Sequence, residues 1–318
     1  MRSDLERVEE RVLQVAQVNY PAASALVRDI VSAGGKRLRP LILLLAGRSY
    51  DYEANLGSLV TAAAGVELLH TASLIHDDTV DRSALRRGKP TLNSVLSSGA
   101  VILIGDYLFA QSAMLAAATD SVRVVSVFAS TLGDVCDGQL REMFDGHRLD
   151  QSRDDYERRI YGKTASLFAG AAEMGAILGR APDPHIAALR QYGSDLGIAF
   201  QIIDDLLDIT SGAGDLGKPA GNDLLQGTVT LPTIIYAQKF GPGSPEGQRL
   251  QRVVSGDFAP DDLADVVAAM RASGAVDETF AVAEHFVSRA KSVLGLLPDI
   301  ETRELLEEVA DVVLTRIS

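Results

Sequence analysis

Helical periodicity is the feature that most constrains the fold of this chain. Ala and Leu are abundant, apolar residues recur with helical spacing in nearly every segment, and runs of alternating β-branched residues are rare. The strongest of the predicted helices cover 54–82, 98–118, 152–180 and 183–211. The first and last of these are apolar on most sides, as central helices of a large bundle are. The fold class is therefore predicted to be all-α, without a parallel sheet.

The organisation of the chain predicts a single helical domain over residues 1–318. Hydrophobic residues make up 47% of the sequence, which supplies a large core and excludes a disordered chain. No low-complexity linker divides the sequence. Residues 246–318 are amphipathic with charged outer faces and carry no chemical cluster, so we interpret them as scaffold.

The net charge and the cysteine content exclude some classes of binding partner and indicate a cellular compartment. Lys and Arg number 30 against 43 Asp and Glu, and the formal net charge of −13 makes nucleic acid and anionic lipid poor partners. A negatively charged substrate would need metal ions or a basic cluster. Cys136 is the only cysteine, which excludes an intrachain disulfide or a zinc finger. We therefore expect a reducing, cytoplasmic location.

Neither a leader peptide nor a transmembrane segment is expected from the sequence. Residues 1–19 carry charges throughout, whereas a signal peptide needs an uninterrupted apolar stretch. The strongest apolar runs, 41–47 and 100–105, are too short to span a bilayer.

The motif D-D-x-x-D occurs twice, near the C-terminal ends of the first and last of these helices. It begins at Asp77 and again at Asp204, in each case after a run of apolar residues. Residues four apart share one helical face, so Asp77 points the same way as Asp81, and Asp204 the same way as Asp208. Carboxylates stacked at a helix C-terminus repel one another and oppose the helix dipole, so positive charge should compensate them.

Metal binding is the better interpretation of the paired motifs. One acidic cluster would most simply be a solvated helix face, but two, each in an otherwise apolar helix, favour a metal site. Carboxylate ligands suit hard cations such as Mg²⁺ or Mn²⁺. Mg²⁺ keeps several waters and takes its remaining ligands from substrate phosphates. We expect two carboxylate walls that face each other and hold several ions with a diphosphate between them.

Basic residues at four places would complete a diphosphate site. The first place is 34–40, where Lys36 and Arg39 lie one turn apart at a helix start, which favours phosphate. His70, on the helical face of Asp77, is a candidate donor to a second phosphate group, whereas His76 lies off that face and is interpreted as structural. In isolation these basic residues have ordinary explanations: a basic loop, charge balance or a snorkelling lysine. The other three places hold Arg86 and Arg87, Lys163 with Thr164, and Lys218.

Residues 212–218 imitate a phosphate-binding P-loop. They fit G-x-x-x-x-G-K, but Pro219 stands where Ser or Thr is required, and a helix precedes the segment where a strand is needed. We therefore interpret the segment as a glycine-rich loop that brings Lys218 near the second acidic motif, and not as the phosphate-binding loop of a nucleotide hydrolase.

Together these motifs resemble the trans-isoprenyl diphosphate synthase (polyprenyl synthetase) family over roughly residues 30–235. The residues that carry the resemblance are Gly34-Gly35-Lys36-Arg37-Leu38-Arg39-Pro40, His70, Asp77-Asp78-x-x-Asp81, Arg86-Arg87-Gly88-Lys89-Pro90-Thr91, Gly162-Lys163-Thr164, Phe200-Gln201-x-x-Asp204-Asp205-x-x-Asp208 and Gly217-Lys218. The resemblance implies an all-α isoprenoid synthase bundle around a deep central cavity, usually homodimeric.

The resemblance also implies a role for each residue. Asp77, Asp81 and Asp204 would hold Mg²⁺, with Asp78, Asp205 and Asp208 in support. Isopentenyl diphosphate would bind Lys36, Arg39, His70 and Arg87, and the allylic diphosphate would bind through the metals to Arg86, Lys163, Thr164, Gln201 and Lys218. The allylic C–O bond would ionise, the isopentenyl double bond would attack the cation, and loss of a proton would restore an allylic product.

Product length depends on residues just before the first acidic motif. Ala72 and Ser73 are small, whereas bulky aromatics there stop elongation early in the family that the chain resembles. We therefore predict a medium- or long-chain product, hexaprenyl or longer, against a farnesyl or geranylgeranyl alternative. A deeper residue such as Phe109 or Met114 could still close the tunnel.

Two other functions remain open from the sequence. A class I terpene cyclase shares the all-α fold and D-D-x-x-D, but its second metal motif normally mixes Asn, Ser or Thr, and Glu. A non-catalytic subunit of a heteromeric synthase is the other alternative, although such a subunit has no reason to keep two repulsive aspartate clusters.

Overall fold

The structure is a computed structural model that describes residues 1–15, 20–32, 35–81, 83–86, 89–210, 220–259 and 261–315, without the side chains of 21–23, 86 and 89. Helices dominate these ranges: α1 Arg2–Val15, α2 Pro21–Ser32, α3 Leu38–Arg48, α4 Tyr52–Val80, α5 Ser98–Ala117, α6 Val122–Asp145, α7 Arg153–Ile160, α8 Ser166–Leu178, α9 Asp183–Thr210, α10 Asn222–Leu225, α11 Leu231–Phe240, α12 Pro245–Ser255, α13 Asp262–Ala272, α14 Ala275–Val293 and α15 Ile300–Leu314.

The all-α prediction is confirmed. In the part of the chain that the structure describes, the only strands are β1 Leu85–Arg86 and β2 Lys89–Pro90, which pair antiparallel. The predicted helix over 152–180 is wrong in one respect: a π-helical turn, Tyr161–Ala165, separates α7 from α8.

The chain divides into two compact units. Unit 1 contains Met1–Leu132, Leu167–Gly193 and Val293–Leu306, and unit 2 contains Gly133–Ser166, Ser194–Ser292 and Glu307–Ser318. Helices α6 and α9 each supply residues to both units. The single domain over 1–318 stays a prediction.

Small residues let α4 lie close to α5 in unit 1. Ala62, Ala63 and Ala64 of α4 are buried, and a Cβ atom on Gly65 would lie only 3.2 Å from the carbonyl oxygen of Ser112 in α5. Helix α4 also contacts α3 and α1. These contacts on several sides explain its apolar sequence and fix the helix end that carries the first acidic motif.

Helix α3 is held against the region of α8 by glycines in the same unit. A Cβ atom on Gly175 would lie 2.0 Å from the carbonyl oxygen of Leu43, and one on Gly179 would lie 2.7 Å from that of Gly47. Only glycine permits such backbone approach. Arg39 lies in the first turn of α3, so this close packing helps to hold its backbone in place.

In unit 2, a capping box sets the start of α7. The Ser152 hydroxyl accepts the backbone N–H of Asp155 at 3.1 Å, and the Asp155 carboxylate accepts the backbone N–H of Ser152 at 3.1 Å. Tyr156 follows one residue later and is fully buried. Helix α7 contacts α11, which contacts α12 and α13.

Two helices have the length and hydropathy that a membrane span requires. They are α4 and α5, and 72% of the most apolar window of α4 is buried inside the protein, against 39% for α5. Most of that window of α4 is therefore packed inside the protein, as in a core helix. Length and composition alone give weak support to a span in either helix.

Candidate active site

The first acidic motif occupies the last turn of α4. Asp77 is half-buried, Asp78 is buried, and Asp81 is exposed at the residue where the helix ends. The helix dipole places partial negative charge at this terminus, so three carboxylates here favour a bound cation. That Asp77 and Asp81 point the same way stays a prediction from their spacing.

The contacts of His76 indicate a structural role and not a metal ligand. Its Nε2 atom lies 3.1 Å from the carbonyl oxygen of Ile102, and its ring meets the ring of Phe109 edge-on with centroids 5.1 Å apart. A Cβ atom on Gly105 would lie 2.2 Å from His76 Nε2, so α5 has a glycine where the imidazole packs. The histidine joins α4 to α5, as its position off the aspartate face indicates.

Arg39 and His70 lie together in unit 1. Arg39 Nη1 is 3.2 Å from His70 Nε2, and its guanidinium lies 4.4 Å from the centroid of the Phe168 ring. Arginine has no acceptor, so His70 Nε2 accepts this hydrogen bond. Lys36 is exposed. Three of the four residues expected to bind isopentenyl diphosphate are thus described, and Arg87 lies outside the described residues.

The residues expected to set product length differ in their surroundings. Ala72 is fully buried in α4, whereas Ser73 is half-buried and donates its hydroxyl to the carbonyl oxygen of His70 at 2.8 Å. Phe109 is half-buried, and Met114 is 63% exposed. Met114 therefore does not line the interior of unit 1.

The three carboxylates of the second motif have three different environments. Asp204 is half-buried. Asp205 is buried and accepts hydrogen bonds from the Tyr156 hydroxyl at 2.7 Å and the Gln201 amide at 2.8 Å. Asp208 accepts the backbone N–H groups of Asn222 at 3.1 Å and Asp223 at 3.0 Å, at the start of α10.

Burial decides the ionisation of Asp205. Loss of water raises the pKa of its carboxyl group to about 7, and the hydrogen bonds from Tyr156 and Gln201 oppose that shift. Both carboxylate oxygens are occupied by protein donors. Asp205 therefore links residues of unit 2 to one another, and its place among the metal ligands stays a prediction.

The π turn presents Lys163 and Thr164. Gly138 of α6 makes room for it, because a Cβ atom on Gly138 would lie 2.1 Å from the backbone nitrogen of Lys163. Lys163 forms an ion pair with Glu142. The Thr164 hydroxyl donates to Gln201 Oε1 at 2.7 Å. π turns often occur at functional sites, where they reorient side chains.

A hydrogen-bonded chain joins the predicted residues of unit 2. It runs from Thr164 through Gln201 and Asp205 to Tyr156, whose ring lies under the buried guanidinium of Arg159. Sequence reasoning missed the last two residues and also Glu142 and Asp223. No local pattern marks Tyr156, because its partner is 49 positions away.

Among the residues that sequence reasoning missed, Asp223 is the one whose position in the sequence could have drawn attention to it. It is an acidic residue 15 positions after Asp208, beyond the glycine-rich stretch of the sequence. Burial raises the pKa of its carboxyl group well above the usual range, and the carboxylate of Asp208 adds to that effect.

Three predicted site residues cannot be placed fully. Arg87 and Lys218 lie outside the described residues, and the structure describes the backbone of Arg86 but not its side chain.

The donor set fits Mg²⁺. Among the described residues, no three Asp, Glu, His or Cys side chains already form a metal-ligand group. Mg²⁺ does not require one, since it binds one or two protein carboxylates and completes its shell with water and substrate phosphate oxygens. Asp77 and Asp204 are half-buried carboxylates, the type of side chain that such a coordination shell uses, and their role as ligands stays a prediction.

Comparison with known proteins identifies the fold and then the family. A decaprenyl diphosphate synthase from Rhodobacter capsulatus is 36% identical, with a TM-score of 0.92 and coverage of 100% of this chain and 97% of its own. A polyprenyl synthase from Caulobacter crescentus CB15, solved with calcium and isoprenyl diphosphate, is 34% identical, with a TM-score of 0.92 and coverage of 100% and 96%. The fold is thus the all-α isoprenoid synthase fold.

The sequence comparisons agree. The family model for polyprenyl synthetase matches residues 21–270. The heptaprenyl diphosphate synthase component 2 of Geobacillus stearothermophilus is 37% identical over 313 residues, which cover 98% of this chain and 95% of the relative. The chain belongs to the polyprenyl synthetase family and is a prenyltransferase, which confirms the resemblance seen in the motifs.

Proposed function

We propose that this protein is a polyprenyl diphosphate synthase that condenses isopentenyl diphosphate with an allylic diphosphate to make a trans product of hexaprenyl length or longer. Membership of the family, together with two complete D-D-x-x-D motifs, is the observation that carries the proposal. Two of the relatives named above are a decaprenyl diphosphate synthase and component 2 of a heptaprenyl diphosphate synthase, which supports a long product.

The two acidic motifs are the metal ligands in this proposal. Bound Mg²⁺, or Mn²⁺ in its place, would stabilise the negative charge that develops on the departing diphosphate. Asp77, Asp81 and Asp204 supply the direct ligands, with support from Asp78, Asp205 and Asp208. The calcium in the Caulobacter relative supports a divalent ion in the family.

Basic and polar side chains complete the binding of the two diphosphate substrates in this proposal. Lys163, which forms an ion pair with Glu142, offers a positive charge to the allylic diphosphate. Thr164 and Gln201 orient that substrate by hydrogen bonds, with Arg86 and Lys218 completing the set. Isopentenyl diphosphate binds Lys36, Arg39, His70 and Arg87, where the arginine forks can bind phosphate oxygens in pairs.

Apolar surroundings protect the reaction. Exclusion of water keeps the allylic cation from hydrolysis until the isopentenyl double bond attacks it. Small side chains at Ala72 and Ser73 leave room for a growing tail, which supports a long product. An aromatic residue in their place would end elongation sooner.

We also propose that the protein is a cytoplasmic homodimer. Leu103 and Met114 of α5 are 68% and 63% exposed, and their spacing of three helical turns places them on one face. Val122, at the start of α6, is 86% exposed. A second copy covering these residues would remove apolar surface from water. The single, exposed Cys136 supports a reducing compartment.

A second candidate is a catalytic subunit that needs a different chain. The Geobacillus relative is named component 2 of a heptaprenyl diphosphate synthase, which favours this candidate. Activity of the purified chain alone distinguishes it from the homodimer, since a subunit that needs its partner would make no long product by itself.

Product analysis tests the proposed function. The purified chain is incubated with Mg²⁺, isopentenyl diphosphate and a geranyl, farnesyl or geranylgeranyl primer, and the prenyl chains are sized by chromatography. We expect products of hexaprenyl length or longer. Asp150→Asn, which changes an exposed acidic residue outside the proposed site, is the control variant and should be fully active. Products no longer than geranylgeranyl would contradict the proposed length. Turnover of an allylic diphosphate alone would instead indicate a terpene cyclase.

A further inference from the structure

Arg37 lies between two residues proposed to bind diphosphate, yet its own side chain is directed into the protein. Its Nη1 atom pairs with a carboxylate oxygen of Glu67 in α4. Its Nε atom donates to Glu9 of α1 at 3.2 Å, and its Nη2 atom donates to the carbonyl oxygen of Val31 in α2 at 2.9 Å. One guanidinium thus joins three helices at the residue before α3 begins.

Glu67 is the buried member of this group. Its residue is only 6% exposed, and a buried carboxylate is costly unless it is paired and hydrogen-bonded. It lies three positions before His70, and its carbonyl oxygen accepts the Thr71 hydroxyl at 2.9 Å. The ion pair therefore ties the start of α3 to α4 at the level of His70.

The backbone of Arg37 needs such support. Its φ of 46° and ψ of 37° are left-handed, a conformation that is unfavourable for a residue with a Cβ atom. Three hydrogen bonds from its side chain hold it there. On either side of this turn, Lys36 remains exposed, while Arg39 reaches His70 and Phe168.

We propose that Arg37 and Glu67 are positioning residues for isopentenyl diphosphate, because their buried pair holds the turn that directs Lys36 and Arg39, together with His70, toward one diphosphate group. The inference rests on the proposed function, in which these three residues take that substrate. Neither Arg37 nor Glu67 touches the substrate itself.

Substitution of either member tests the inference. Arg37→Lys keeps the charge but cannot bind three acceptors in a fork, and Glu67→Gln removes the charge of the partner. We expect the KM for isopentenyl diphosphate to rise about 10- to 100-fold in each variant, as for small displacements of binding groups, while the KM for the allylic primer changes less than about twofold. Calorimetric titration with isopentenyl diphosphate alone should show the same loss of affinity without turnover.

A double variant separates positioning from stability. Arg37→Lys loses hydrogen bonds that the guanidinium fork makes, and Glu67→Gln takes a carboxylate away from Arg37, so each single variant is expected to lower the unfolding midpoint. Arg37→Met with Glu67→Leu replaces the pair by apolar side chains and should restore the midpoint but not the affinity. Arg48→Gln is the matched control, because it breaks the exposed Arg48–Glu301 ion pair of 2.7 Å at the other end of α3 and should leave both KM values unchanged.

Two results would overturn the inference. One is an equal rise in the KM values of both substrates in the single variants, and the other is full recovery of affinity in the double variant. Absence of any polyprenyl product from the unmodified protein would refute the proposed function instead. In that case the calorimetric comparison still decides whether the pair positions groups that bind the diphosphate.

Discussion

Replacement of Gly138 by alanine is the substitution that most directly perturbs the support of Lys163. In α6 the added Cβ atom would lie 2.1 Å from the backbone nitrogen of Lys163 and 2.6 Å from the carbonyl carbon of Gly162, where real contacts are at least 3.0 Å. The backbones must separate by close to 1 Å. No flexible side chain can yield here, because the atoms that clash belong to main chain.

Two opposing effects determine how much Gly138→Ala changes the free energy of unfolding. Overpacking of this kind costs about 1–3 kcal/mol, and more where backbone has to move. Alanine in a helix interior returns about 1 kcal/mol relative to glycine. We expect Gly138→Ala to lower the free energy of unfolding by up to about 2 kcal/mol net, and displacement of Lys163 to lower kcat/KM for the allylic substrate about 10- to 100-fold.

The same helix provides the control. Gly133 is exposed in α6, and a Cβ atom there meets nothing within 4 Å. Gly133→Ala should therefore raise the free energy of unfolding by about 0.5–1 kcal/mol and leave the kinetics unchanged. Urea denaturation and steady-state kinetics of both variants are the assay. Equal stability and equal activity of the two would refute the account of this contact.

Three further predictions follow from single contacts. Tyr156→Phe removes the hydroxyl that donates to buried Asp205 at 2.7 Å, so urea denaturation should show a loss of about 1–3 kcal/mol; no loss would contradict that bond. Ser73→Phe should shorten the product in the chromatographic assay without loss of turnover, and unchanged chain length would contradict its proposed place. Asp299 caps α15 by accepting the Thr302 backbone N–H at 3.1 Å, and the hydrogen bond from the Thr302 hydroxyl lowers the pKa of Asp299. This stabilisation is present above the unfolded-state pKa and is lost as pH falls through the folded one, so Asp299→Ala should cost about 1 kcal/mol in thermal unfolding at pH 7 and little at pH 2.

Long helices could be predicted from the sequence because their apolar residues repeat over many turns. The helix predicted over 98–118 differs from α5, Ser98–Ala117, by one residue at its end. The π turn at Tyr161–Ala165 could not be predicted in this way. One extra residue in one turn barely disturbs the periodicity of the flanking helices, and the glycine that leaves room for it, Gly138, lies in another helix.

The acidic motifs could be predicted as units because i, i+4 geometry is local. What the sequence could not distinguish is the different environment of each aspartate within a motif. Asp205 is bonded to Tyr156, and Asp208 to the start of α10, and both partners are brought there by tertiary packing. For the same reason Arg37 had no assigned role between Lys36 and Arg39, since Glu67 lies 30 positions away.

Dependence on a divalent ion tests the central claim most directly. The protein is stripped with a chelator, and condensation of isopentenyl diphosphate with an allylic primer is followed as Mg²⁺ is added back, for the unmodified chain and for Asp77→Ala and Asp204→Ala. We predict no turnover before Mg²⁺ is added, full recovery for the unmodified chain, and no recovery for either variant although circular dichroism shows both folded. Turnover that is indifferent to the chelator, or an active Asp77→Ala or Asp204→Ala protein, would contradict the account.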